Sequence, residues 1–162
     1  MKSLTYAEAL DQALCHGWID GQTKSCDEQS WIRKFTPRRP KSGWSKINTQ
    51  HVKRLAKAGV MTPAGLSAVE AAKTDGRWKA AYDSPRNANP PEDLLRELDK
   101  NERAKSFFQG LNKANVYSIV YRLQTARKPE TRQKRMKMII DMLVQGKTFH
   151  PQPGIKQRGR RP

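Results

Sequence analysis

Apolar residues recur at helical spacing through most of this chain, and one stretch near its start departs from that rule. Tyr6, Ala9, Leu10, Ala13 and Leu14 fall on one face of a helix predicted over Thr5 to Leu14. Thr5 and Glu8 form a capping-box pair at its start, and Gly17 is placed to end it. From Trp18 the period changes. The runs WIDGQTKS and QSWIRKFT flank the turn-prone Cys26-Asp27-Glu28, and Trp31, Arg33 and Phe35 alternate with Ile32 and Lys34. That alternation predicts a β-hairpin, which must lie on a helix or pair with a third strand to be stable in water.

Pro37 and Pro40 then hold Arg38 and Arg39 on a stiff connector, and Ser42, Gly43 and Ser45 keep the chain irregular until Asn48 or Thr49 caps the next helix. That helix, about Gln50 to Lys57, points Val52, Leu55 and Ala56 inward and ends at Gly59. Thr62-Pro63 opens another through Leu66, Val69 and Ala72, since Pro costs least at the first helical position. After Asp75-Gly76 and the apolar Trp78, Ala81 and Tyr82 comes a proline-rich loop, residues 84–91. Four more helices follow. They carry Leu94, Leu95 and Leu98; Ala104, Phe107 and Phe108; Val116, Ile119, Val120 and Leu123; and Met136, Ile139, Ile140 and Leu143. The expected class is α+β and mainly helical: an N-terminal helix and β-hairpin, then a bundle of five to seven helices. Residues 1–150 read as one domain with a candidate subdomain break at 84–91, and residues 151–162 as a basic disordered tail.

Charge adds most to this picture. The 162 residues carry 32 Lys plus Arg against 15 Asp plus Glu, a net +17. Such a field favours anionic partners and says nothing about fold. It is uneven: residues 31–60 hold nine basic residues and no acid, and residues 112–162 hold thirteen basic residues against Glu130 and Asp141. The basic residues of the last helix crowd its first half, the unfavourable end of the helix dipole, a hint that they face a partner.

Catalytic signatures are absent from the motifs. His16, His51 and His150 are scattered without metal spacing, Cys15 reads as a half-buried thiol, and Ser42 and Ser45 have no identifiable base. No cofactor or metal is expected, and the expected protein is not an enzyme. Cys15 and Cys26 are too few for a disulfide framework, no run approaches the ~20 apolar residues of a membrane span, and the first residues lack a signal-peptide core. These features favour the cytoplasm.

Gly17-Trp18-Ile19-Asp20-Gly21-Gln22, Arg33 to Pro40, Trp44-Ser45-Lys46-Ile47-Asn48, Tyr121 to Ala126 and Lys128 to Arg132, taken in order, resemble the YdeI/OmpD-associated family, also called bacteriocin-protection proteins. The resemblance runs over roughly Ser3 to Pro151. It implies a small bacterial protein connected with tolerance to bacteriocins or cationic antimicrobial peptides, with envelope association as the alternative location and an envelope protein among the possible partners. Such proteins usually carry a further apolar, strand-like run before the position of Leu4, so self-association through an open sheet edge is a further expectation.

Two sets of residues are candidates for function. Asp20, Gln22, Arg33, Arg38, Arg39, Lys46 and Asn48, with the Trp44 ring, could bind an anionic ligand, because guanidinium groups grip phosphate or carboxylate through paired hydrogen bonds. The competing expectation is that Asp20 pairs with Arg38 or Arg33 and fixes the connector. For nucleic acid, the candidates are Arg38, Arg39, Lys41, Lys53, Arg54, Arg132, Arg135, Arg158, Arg160 and Arg161, with Trp31, Phe35 and Trp44 available for stacking. The stripe Met136, Ile139 and Ile140 could insert in an anionic membrane but suits a packed helix better.

Overall fold

The computed structural model describes residues 4–28 and 30–154; Arg158, Arg160 and Arg161 lie outside them. Among the described residues there are α1 (Tyr6–Cys15), β1 (Trp18–Ser25), β2 (Trp31–Pro37), α2 (Lys46–Lys57), α3 (Pro63–Thr74), α4 (Glu92–Asp99), α5 (Glu102–Gln109), α6 (Lys113–Gln124) and α7 (Pro129–Val144). The protein is therefore α+β and mainly helical, with six helices after the hairpin. Contacts divide it into two compact units, residues 1–81 and 82–162.

The first unit is built on α1. Thr5 and Glu8 make the expected reciprocal capping box, and Gly17 takes a positive φ of 74° as the chain turns into β1. The strands pair antiparallel, from Trp18 opposite Pro37 to Ser25 opposite Trp31, with an irregularity between Asp20 and Thr23. Among the described residues no third strand joins them. The hairpin lies instead on α1, and Phe35 packs against the core of Leu10, Leu14, Trp44, Val52, Leu55, Val69 and Ala72.

Three details differ from the periodic reading. Ser45, rather than Asn48 or Thr49, caps α2, its hydroxyl accepting from the Asn48 N–H, so the helix begins four residues early. Leu66 is exposed, and the buried face of α3 uses Gly65, Val69 and Ala72. Gly65 is needed because a Cβ there would collide with the Cys15 carbonyl. That carbonyl also accepts from the Thr62 N–H and hydroxyl, at 3.1 and 2.7 Å, locking the start of α3 to the end of α1.

The second unit packs Leu94 and Leu98 of α4, Ala104 of α5, Ile119 and Leu123 of α6, and Ile139 and Leu143 of α7. Asn101 and Asn112 cap α5 and α6 as their sequence positions suggest. After α7 the chain returns over α6. The fully buried Asn115 accepts from the His150 N–H and donates to the His150 carbonyl and to Gln152 Oε1, while Ser118 Oγ lies 2.6 Å from His150 Nε2. Gln152 also accepts from the Asn112 N–H and donates to the Gly110 carbonyl, so the stretch read as tail is held to the body at least this far.

Candidate functional site

Where the arginines of the first unit point decides which residues remain available to a partner. Asp20 accepts from Arg33 Nη1 at 2.8 Å and from the Tyr6 hydroxyl at 2.9 Å, and the Arg33 guanidinium covers the Tyr6 ring at 4.4 Å. Burial, followed by the hydrogen bond to Asp20, raises the Tyr6 pKa. Of the two partners expected for Asp20, Arg33 is the one it pairs with, bridging β1 and β2, and the Tyr6 hydroxyl ties this pair to α1.

Arg38 turns inward as well. Its guanidinium lies 3.4 Å over the Trp44 ring and donates to the Gly43 carbonyl at 3.0 Å. Trp78 packs on Trp44 with ring centroids 5.0 Å apart. With one ring and one guanidinium packed on it, Trp44 is only 1% exposed. The expectation that its ring faces a ligand is therefore corrected, because no ligand can reach it. Asn48 is buried too, while Gln22, in the irregular part of β1, is exposed.

Arg77, absent from both candidate sets, is a further inward arginine. Its Nε reaches both Asp75 oxygens, at 2.9 and 2.7 Å, and its Nη1 donates to the Ser42 carbonyl. The only trace of this in the sequence is an Arg two residues after the Asp of an Asp-Gly turn. Arg54 contacts Asp11 at 2.5 Å, and His51 Nδ1 meets the other Asp11 oxygen at 2.9 Å. Burial alone would raise the Asp11 pKa, but Arg54 and His51 outweigh it and the net shift is downward.

The outward set is different in kind. Lys34, Arg39, Lys41, Lys53 and Lys57 are exposed, and among the described residues no ion pair reaches their side chains. Lys46 is exposed at the start of α2. Trp18 and Trp31 are 41% and 60% exposed. The near end of the hairpin rests on α1 through Phe35, while Trp31 stands at the far end beside the turn.

In the second unit, Arg132 forms a paired contact with Asp93, Nε to Oδ2 at 2.7 Å and Nη2 to Oδ1 at 2.8 Å, and donates to the Leu123 carbonyl. Arg135 donates to the Arg122 carbonyl at 2.6 Å and to Thr125 Oγ1. The charges that sit badly on the α7 dipole thus satisfy the carbonyl end of α6, where positive charge is favourable. For Arg132 and Arg135 this replaces the expectation that they face a partner, while Lys134 is exposed. A groove of about 530 Å³ beside them is lined by Asp93, Lys100, Arg132, Met136 and Lys137, and a hollow of about 570 Å³ by Phe107, Leu143 and Gln152. Among the described residues no group of three His, Cys, Asp or Glu could hold a metal ion, and no helix is long and apolar enough to cross a membrane.

These features define a mainly helical α+β protein in which Arg33, Arg38 and Arg77 of the first unit turn inward while the described lysines of that unit are exposed. Residues 87–146 match the family described as bacteriocin-protection, YdeI or OmpD-associated. The resemblance read from the sequence holds for that stretch, which includes the Tyr121 to Ala126 and Lys128 to Arg132 motifs. Residues 1–68, with the motifs of the hairpin and connector, match a separate family described as a domain of unknown function, DUF8412. No curated protein and no solved structure matches the chain.

Proposed function

We propose that this is a bacteriocin-protection protein that acts by binding, without catalysis, and that it meets an anionic partner through the outward cations of the first unit. The observation that carries this reading is the sorting of charge. Arg33, Arg38, Arg54 and Arg77 are engaged within the unit, whereas Lys34, Arg39, Lys41, Lys53 and Lys57 are exposed with no ion pair among the described residues. With Arg33 and Arg54 paired to Asp20 and Asp11, the self-repulsion that remains among the exposed cations is relieved when an anion binds. The free thiols Cys15 and Cys26 suit action in a reducing cytoplasm.

The test is bacteriocin tolerance of cells lacking the protein, complemented with wild type or with Arg39→Glu/Lys41→Glu. Complementation by wild type and none by an equally abundant reversed-charge protein is expected. Full tolerance from the reversed-charge protein, or no effect of wild type, overturns the reading.

A further inference from the structure

The exposed cations of α2 have a spacing that narrows the class of partner. Lys46, Gln50, Lys53 and Lys57 stand at i, i+4, i+7 and i+11, and all four are exposed. At 100° per residue they form one straight stripe, opposite the face that buries Val52 and Leu55. The stripe is about 16 Å long, with charges roughly 10 Å and 6 Å apart. Lys46 and Lys57, at the two ends, are too far apart to share one phosphate, so the ligand that engages the whole stripe is an extended polyanion.

We infer that the α2 stripe binds the phosphate backbone of duplex nucleic acid without regard to sequence. This inference rests on the reading that the first unit meets an anionic partner. Three observations favour a duplex. The stripe's length is about half the ~34 Å pitch of a double helix, so its lysines can follow phosphates along one edge of a groove. No aromatic ring lies in the stripe, whereas single strands are gripped by stacking platforms. No apolar side chain lies in it either, and a membrane-surface helix needs apolar groups to insert. The exposed Ile47 sits about a quarter turn away. Lysines are point charges on flexible stems, suited to phosphates and poor at reading base edges.

Each phosphate neutralised steepens the fall of log affinity with log salt by about 0.9. The test measures binding of the full chain to a ~24-base-pair duplex between about 50 and 200 mM salt. Wild type is compared with Lys53→Gln/Lys57→Gln and with Lys113→Gln/Lys134→Gln, an equal loss of charge from exposed positions of the second unit. The α2 pair should flatten the slope by about 1.8, and the control pair should leave it within error of wild type. Equal flattening by both pairs, or by neither, overturns the inference. Phosphatidylglycerol vesicles and a sulfated polysaccharide are run in parallel. Binding to either of these but not to the duplex overturns the nucleic-acid inference and leaves the anionic-partner reading standing; binding to none of the three overturns both.

Discussion

The Arg38 guanidinium lies 3.4 Å over the Trp44 ring and also holds the Gly43 carbonyl, so two residues that sequence marks as partner-facing form an internal clamp on the connector. Arg38→Lys keeps the charge and loses both the planar stack and the forked donors. A loss of about 1 to 2 kcal/mol in urea unfolding is expected, the size of a partly desolvated cation–π contact. Unchanged stability would return Arg38 to the outward set.

Two glycines separate steric demand from backbone demand. Gly65→Ala puts a methyl into the Cys15 carbonyl and should cost more than about 3 kcal/mol, because α1 and α3 must part. Gly59→Ala meets nothing within 4 Å and strains only a φ of +70°, for about 1 kcal/mol. Equal costs in chemical denaturation would contradict the close approach of α3 to α1.

Much of this fold is legible in the sequence where a local rule decides it. The Thr5 and Glu8 capping box, Thr62-Pro63, Asn101 and Asn112 mark helix starts because caps act within one turn. What stays hidden is tertiary. A period of two identifies β2 without saying which parts of it are covered: Phe35 packs against the core while Trp31 is exposed. Asn48 and Thr49 read as caps, but the Ser45 hydroxyl, which accepts from the Asn48 N–H, starts the helix earlier. In the candidate site, sequence marks the basic region but cannot sort the engaged Arg33, Arg38 and Arg54 from the outward Arg39 and lysines. That sorting depends on Asp11 and Asp20 arriving from α1 and β1, and on the carbonyls of Ser42 and Gly43.

Asp93 gives the second unit an acid dependence with a definite sign. Its paired contact with Arg132 lowers the carboxyl pKa, burial opposes this, and the Coulomb attraction of Arg132 and the Leu94 N–H add to the lowering. A depressed folded pKa contributes stability that is present above the unfolded value of about 3.9 and is lost as pH falls through the folded value. Unfolding of wild type followed from pH 6 downward should therefore show a loss beginning near pH 4, about the unfolded aspartate value, that is smaller in Asp93→Asn. Parallel profiles would remove Asp93 as its source.

Asn115 holds the returning segment to α6. Asn115→Ala leaves the His150 N–H without its acceptor, while the His150 carbonyl keeps the Thr148 hydroxyl, at a cost of about 1 to 3 kcal/mol. Amide exchange at His150 should accelerate well before that of α6. Unchanged protection at this amide would show that the segment is held by other contacts.

The central claim is that Arg33, Arg38, Arg54 and Arg77 build the first unit, while Arg39 and the exposed lysines face the partner. The most direct measurement pairs urea midpoint with the salt needed to elute the full chain from a sulfated-polysaccharide column. Lys41→Gln/Lys53→Gln/Lys57→Gln is expected to elute at lower salt with an unchanged midpoint. Arg77→Lys, which keeps its charge but loses the fork on Asp75 and Ser42, is expected to show a lower midpoint and unchanged elution. A triple variant that loses stability but not retention, or an Arg77→Lys protein that loses retention but not stability, would contradict it.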